Sequence, residues 1–280
     1  IFGFVFGAAM IGLASLRGGI PETYSRVVET KTIRCGYLPF EPFVIKDPTT
    51  GKLSGVTVDY LNEAAVKEGY HVEWSSEVTF DQVVPALNSG KIDMLCVPAT
   101  PDTDFVRVVS FVGDLGGLSY YVYVKGDSAL TAQDLPAATF ALHDGFALSQ
   151  ITRQAFPKAT FASLPQQASM AEFFDQLRYG KVQALVNEPI AASNYLRANP
   201  GSIRRFSDTP IVSMRMFFVG PKDDTAMDDF IQRYLSVEDP QRLAIMKKAL
   251  AKYHVPDGAL LLGEACKPTE NEQGWRVCAK

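Results

Sequence analysis

Five side chains or backbone positions have the type and placement needed to bind a small molecule. Tyr37, Phe40 and Phe43 lie in one short loop and can form an aromatic wall. Thr100 lies in a polar loop that follows a predicted buried strand, and its hydroxyl can bond a ligand. Gly145 lies in a turn before a predicted helix, where free backbone N–H groups favour anions. Ordinary packing of the aromatic rings and capping of the Thr100 loop are the alternatives.

The sequence carries no arrangement typical of a catalytic or metal-binding centre. His71, His143 and His254 are far apart in the chain, and none has a Ser, Cys or carboxylate partner at a known motif spacing. Asp144 follows His143, but no nucleophile accompanies this pair. We therefore expect no catalytic residue, no metal site and no cofactor.

One stretch, residues 79–111, predicts the α/β unit that presents the Thr100 loop. Thr79 and Gln82 form a predicted capping box at the start of a helix, and Gly90 ends that helix. The apolar run 92–97 has no alternation, which is typical of a strand covered on both faces. Ligands of open parallel sheets bind beyond the carboxyl ends of strands, so this loop is the first candidate site.

The stretch 169–189 repeats this unit, with Ser169 and Glu172 as a second capping box and a second Gly-Lys turn at Gly180. The repetition favours two α/β lobes that face each other across one cleft. The alternative is that any two α/β units look alike at this level. The first half of the chain is predicted to run strand, helix, strand, helix, strand. We therefore predict an α/β fold with two doubly wound lobes.

Two β-rich runs, 119–125 and 213–221, are predicted to carry the chain between the lobes as crossover strands. Asp239 and Pro240 open a helix that reaches about Tyr253 and packs back on a lobe. The predicted division is an N-terminal segment 1–21, a first lobe 28–120, a second lobe 121–218, C-terminal helices 219–255 and an irregular tail 256–280.

The composition is that of a globular chain of 280 residues, 47% hydrophobic and 21% charged, with a net charge of -4. It lacks the basic patch of a nucleic-acid binder. Cys266 and Cys278 lie in the polar tail, and we expect a disulfide between them in an oxidising compartment. Cys35 and Cys96 lie in predicted core strands and are interpreted as small buried hydrophobic residues.

The N-terminal segment has no charged residue before Arg17. As a helix its first 16 residues span about 24 Å, which is shorter than the roughly 30 Å of a bilayer core. The segment is either an uncleaved signal or the end of a transmembrane anchor, and we expect the anchor. A polar linker, residues 22–31, is predicted to follow it.

Several short motifs occur in an order and spacing that are specific when taken together. They are Tyr37, Pro42-Phe43, Gly55 with Asp59, Phe80, Leu87, Gly90-Lys91-Ile92-Asp93, Phe111, Gly180-Lys181-Val182, Ala184 and Pro189. With them, residues 32–253 resemble the type II periplasmic solute-binding proteins of the polar amino-acid class, the family 3 receptors of ABC importers. The resemblance implies that one small molecule binds between two lobes, which close and dock on a permease.

The resemblance also implies two ligand contacts. The family's Thr-x-x-Arg supplies an arginine that clamps the ligand carboxylate, but its position here is Phe105, so Arg107 is the nearest cation and the candidate. A surface or structural role is the alternative for Arg107. The acidic partner of the ligand amino group falls at Asn187 or Glu188, and Glu188 keeps the charge. Because Phe cannot replace a guanidinium, an ordinary amino acid is not the expected ligand.

These observations predict a membrane-tethered receptor on the periplasmic side of the bacterial inner membrane. It captures a small polar solute by cleft closure and works with an inner-membrane permease of an ABC-type importer. The first alternative is a ligand-free accessory subunit of another membrane complex, which the missing arginine and the apolar N-terminus motivate. The second is a periplasmic dehydratase-like enzyme, since fold does not determine function.

Overall fold

The computed structural model describes residues 22–101, 105–266, 268–270 and 276–278. The predicted anchor or signal, residues 1–21, lies outside this part of the chain. No helix within these ranges is both long enough and apolar enough to cross a membrane.

The first lobe begins with a helix where the sequence predicted a linker. In chain order it contains α1 (Glu22–Thr30), β1 (Thr32–Tyr37), the hairpin β2 (Ile45–Lys46) and β3 (Leu53–Ser54), α2 (Val56–Lys67), β4 (His71–Glu77), α3 (Phe80–Asn88) and β5 (Met94–Ala99). The linker prediction was wrong because tertiary contacts hold α1. Val27 is buried, and Arg26 donates to the fully buried carboxylate of Asp93 through Nε at 3.2 Å.

The chain then enters the second lobe through the long strand β6 (Val109–Lys125) and returns through β11 (Val212–Pro221). The second lobe contains β7 (Thr139–His143), α4 (Ala147–Ala155), β8 (Thr160–Leu164), α5 (Met170–Arg178), β9 (Ala184–Asn187), α6 (Pro189–Ala198) and β10 (Ile203–Arg205). The return and the C-terminal part contain β11 (Val212–Pro221), α7 (Thr225–Leu235), α8 (Pro240–Lys252), β12 (Leu260–Leu261), β13 (Pro268–Glu270) and β14 (Arg276–Cys278).

The strands run in the order β4-β1-β5-β11-β6-β9-β7-β8. β4, β1 and β5 are parallel, and so are β9, β7 and β8, whereas β11 and β6 are antiparallel to each other. In β5, Met94 and Cys96 join a core with α2, α7 and α8, while Leu95 and Val97 join a core with α3. Alternate residues of a strand face opposite sides of a sheet, so helices cover both faces. The mixed α/β prediction is confirmed.

The two predicted α/β units have the same local geometry. The N–H of Thr79 donates to Gln82 Oε1 at 3.2 Å, and the N–H of Ser169 donates to Glu172 Oε2 at 2.7 Å. Both helices end at a glycine in the left-handed region, where a side chain would be strained, with φ of 64° at Gly90 and 68° at Gly180. The strand of each unit therefore leaves its helix in the same way and ends at the cleft.

The two crossover segments form one antiparallel ladder that belongs to both lobes. Val212 pairs with Tyr120 at one end and Pro221 pairs with Val109 at the other. The predicted boundary at 120/121 therefore falls inside a continuous strand. At the centre of the ladder Arg215 is buried and its Nε donates to Asp114 Oδ2 at 2.5 Å.

The C-terminal helices pack on the first lobe. Phe230 and Ile231 of α7 and Ile245 of α8 share a core with Leu61 of α2. The tail after them was predicted to be irregular, which is wrong for three short strands. β12 pairs with β6, β13 with β14, and β14 with β11, so the tail adds to the crossover ladder.

The cysteines form two disulfides. Cys266 bonds to Cys278, as expected from their place in the tail. Cys35 also bonds to Cys96, with Cα atoms 5.5 Å apart. The interpretation of this second pair as unbonded hydrophobic residues was wrong because β1 and β5 are neighbours in the sheet, which places two cysteines 61 positions apart within bonding distance.

Candidate ligand-binding cleft

A cavity of about 170 Å³ lies where the two lobes meet. Most of its wall comes from the second lobe, at the carboxyl ends of β7 and β9 and the first turns of α4, α5 and α6. The first lobe contributes Phe40 and Thr100, and the crossover strands contribute Tyr120 and Met214. This is the place that parallel sheets use for ligands, because the loops after the strands converge there.

Glu188 brings a carboxylate to the cavity from the start of α6. Its side chain accepts from the backbone N–H of Ile190, and from that of Ala191 at 2.6 Å, so it caps the helix. The side chain is buried. Burial raises the pKa of Glu188 to about 7, against the lowering effect of those two hydrogen bonds. Burial and the nearby Glu188 carboxylate both raise the pKa of the Tyr120 hydroxyl.

His143, which the sequence reasoning set aside, also lines this cavity. It ends β7 and is 5% exposed. Its ring stacks on Phe146, with centroids 4.4 Å apart, and on Phe173, at 5.6 Å. Both ring nitrogens are buried and have no hydrogen-bond partner among the residues that the structure describes. The signal that would have found His143 was its place at the end of a strand, by the same rule that selected Thr100.

Three of the predicted ligand residues, Phe40, Thr100 and Glu188, line the cavity together. Phe43 lies behind Phe40, 2% exposed, with ring centroids 5.4 Å apart, so it supports the wall from the core. Tyr37 is buried against Trp74 at 6.1 Å and also lies outside the cavity lining.

The other two predicted residues lie outside the lining as well. Gly145 lies in an exposed turn between His143 and α4, with φ of 79°. Arg107 is exposed on a 3-10 helix, Phe105–Arg107, while the Phe105 ring packs on Phe111 at 6.0 Å. The loop therefore packs an aromatic ring against the hydrophobic core at the position where a clamping arginine was sought.

The described residues that line the cavity include neither Lys nor Arg. Among the residues that the structure describes, no group of His, Cys, Asp or Glu is arranged to hold a metal. The polar side chains of the described lining carry a carboxylate, an imidazole, an amide and a few hydroxyls. Such a site can bind and orient a small molecule that hydrogen-bonds and carries an apolar body.

The comparisons with known proteins agree with this architecture. The model of the bacterial extracellular solute-binding proteins, family 3, matches residues 33–254. A probable histidine-binding protein of Campylobacter jejuni is 29% identical over 184 residues, which are 64% of this chain and 69% of that protein. A probable amino-acid ABC transporter-binding protein of Haemophilus influenzae is 25% identical over 185 residues, 65% of this chain and 69% of that protein.

Solved structures show the same fold. The ancestral amino acid-binding protein AncCDT-1, a precursor of cyclohexadienyl dehydratase, superposes with a TM-score of 0.63 at 23% identity, over 82% of this chain and 98% of that one. The two lobes and their crossover strands are thus those of type II periplasmic binding proteins. The family match covers most of the described lobes, from β1 to the end of α8. The chain belongs to the bacterial extracellular solute-binding proteins of family 3.

Proposed function

We propose that this protein captures a small polar solute between its lobes and delivers it to the permease of an ABC-type importer on the periplasmic side of the inner membrane. The observation that carries this proposal is the cavity itself. It lies between the lobes and contains the buried carboxylate of Glu188 and the buried imidazole of His143, whose nitrogens have no hydrogen-bond partner among the described residues. The names of the two relatives, a probable histidine-binding protein and a probable amino-acid ABC transporter-binding protein, support a transport role.

Cleft closure is the proposed mechanism, because the ligand would touch residues of both lobes. Phe40 and Thr100 reach the cavity from the first lobe, while Glu188 reaches it from the second. A direct contact between the lobes, from Asn194 Nδ2 to the backbone oxygen of Glu41 at 3.5 Å, lies beside α6. Ligand contacts that exist only when the lobes meet shift the open-closed equilibrium towards the closed form.

We propose that Phe40, Thr100 and Glu188 contact the ligand, with Tyr37 and Phe43 holding the Phe40 loop. Membrane attachment through residues 1–21 is also part of the proposal and follows from their apolar sequence. The accessory-subunit alternative predicts a cleft filled by side chains. The open cavity favours ligand binding over that alternative.

The test is a thermal-shift screen of the purified chain against amino acids, opines, small carboxylates, amines and sugars. A ligand at 100 times its dissociation constant adds about 2.7 kcal/mol to the free energy of unfolding. This gain raises Tm by several degrees in a chain of this size.

Two phenylalanine variants separate specific binding from general effects. Phe40→Ala removes the first-lobe wall and should weaken binding of any hit by about tenfold or more, because hydrophobic burial is lost. Phe80→Ala, at a half-exposed residue of α3 outside the lining, is the matched control and should leave the hit unchanged. A flat screen with a folded chain would refute the receptor proposal and favour the accessory-subunit role.

A further inference from the structure

The charge of the cavity wall restricts the ligand. Glu188 is the acidic side chain of the described lining, and no described lining residue is Lys or Arg. A buried carboxylate is stabilised by an opposite charge within about 4 to 6 Å, and a second carboxylate in the same space is disfavoured. The wall therefore favours a ligand with a cationic group and disfavours one with a free carboxylate.

His143 supplies a second recognition point. Its two ring nitrogens are buried without a partner in the described part of the chain, although a buried polar atom normally has one. The rings of Phe146 and Phe173 hold the imidazole by stacking, so its position is fixed before any ligand arrives. A ligand that hydrogen-bonds to a ring nitrogen would satisfy an atom that the protein leaves unpaired.

The size and composition of the cavity restrict the body of the ligand. A cavity of about 150 Å³ is enough to hold benzene, and the volume here is about 170 Å³. The rings of Phe40, Phe146 and Phe173 line it. Aromatic faces attract cations as well as apolar groups, so they are compatible with a compact apolar body that carries an ammonium group.

We propose that the ligand is a compact organic amine without a carboxylate, with its ammonium group paired to Glu188 and a hydrogen bond to the His143 ring. This inference rests on the proposed solute-binding function and names the ligand class for the same cleft. It assigns to His143 the role of a specificity-determining residue.

Three probes of one shape test the charge of the ligand: benzylamine, benzyl alcohol and benzoate. Each is titrated calorimetrically into the purified chain at pH 8, where Glu188 is mainly ionised. Benzylamine should bind at least tenfold more tightly than benzyl alcohol, since one charge-assisted contact is worth about 1.5 to 3 kcal/mol. Benzoate should bind more weakly than either. Equal or tighter binding of benzyl alcohol or benzoate, or no binding of benzylamine, would overturn the inference.

Variants assign the preference to the two residues. Glu188→Gln should remove the preference for benzylamine over benzyl alcohol, whereas Glu172→Gln, the same change on the exposed first turn of α5, should keep it. His143→Phe keeps an aromatic ring but removes both nitrogens, and should weaken benzylamine about tenfold, the value of one hydrogen bond. Full benzylamine affinity in His143→Phe would refute its role. If His143 had a purely structural role, His143→Phe would instead lower the stability of the chain in the absence of benzylamine.

The broader solute screen separates this inference from the function on which it rests. If another solute binds, and Phe40→Ala weakens it while benzylamine does not bind, the receptor proposal stands and the amine inference fails. If no solute binds to the folded chain, both fail.

Discussion

Replacing Glu188 by Gln should change the stability of the protein in a pH-dependent way that follows from its burial. Burial raises the pKa of Glu188 from 4.5 to about 7. The folded chain therefore keeps this proton to a higher pH than the unfolded chain. Glu188 contributes stability that is fully present below about pH 4.5 and is lost as the pH rises through about 7.

The magnitude follows from the shift. A change of one pKa unit corresponds to about 1.4 kcal/mol, so the ionised side chain costs about 3 kcal/mol at pH 8.5 relative to pH 4. Gln carries no charge and avoids this cost, but its single carbonyl oxygen replaces two acceptors of the α6 cap, which costs about 1 kcal/mol. We expect Glu188→Gln to be more stable than the native chain by about 2 kcal/mol at pH 8.5. At pH 4, where the Glu188 carboxyl is mostly protonated, Glu188→Gln should be less stable than the native chain by about 1 kcal/mol, the loss at the cap.

The assay is urea unfolding of both chains without ligand at several pH values between 4 and 8.5. Subtracting the two free energies of unfolding cancels the titration of the groups that both chains share. Coincident fluorescence and circular-dichroism transitions check that unfolding is two-state. Glu172→Gln is the matched control, and its effect on stability should have the opposite sign. Hydrogen bonds from Ser169 lower the pKa of the exposed Glu172 carboxylate, so its loss should destabilise the chain at neutral pH and have no effect at low pH. A Glu188→Gln chain less stable than the native one at pH 8.5 would refute the reasoning, because the helix cap would then outweigh burial.

Two further changes test the frame that holds the cleft. Arg215→Ala should lower the free energy of unfolding by about 3 to 5 kcal/mol in urea titration, because it leaves Asp114 buried without the Arg215 guanidinium. Adding Asp114→Ala to this variant should recover part of the lost stability. No recovery in the double variant would contradict this pairing. Cys35→Ala with Cys96→Ala should cost about 4 kcal/mol by the same measurement, from the loop of 61 residues that the bond closes. If reduction of the native chain leaves its stability unchanged, this account is wrong.

The fold was largely predictable because its units are local. Capping boxes, glycine stops and apolar runs lie within about 20 residues of each other in the sequence, so the stretches 79–90 and 169–180 indicate their helices directly. The crossover strands were also visible as β-rich runs. The order of the strands in the sheet was not visible. The bond between Cys35 and Cys96 depends on that order, so it was not predicted either.

The errors occurred where a segment is ordered by contacts with distant parts of the chain. Helix α1 has a polar sequence but docks through Arg26 on the buried Asp93, and β12 forms by pairing with β6. Local propensity does not predict such segments, because their order comes from partners far away in the chain.

The sequence by itself determined the α/β units, the two lobes and the loops that end at the cleft. It also indicated Glu188 and Phe40 as residues of that cleft. Only the tertiary structure decided that His143 joins them, and that Arg107 stays at the surface. The physical reason is that a side chain becomes a recognition element through its neighbours. The rings that hold His143, and the absence of a hydrogen-bond partner for its nitrogens among the described residues, are properties of packing across elements, which no local spacing encodes.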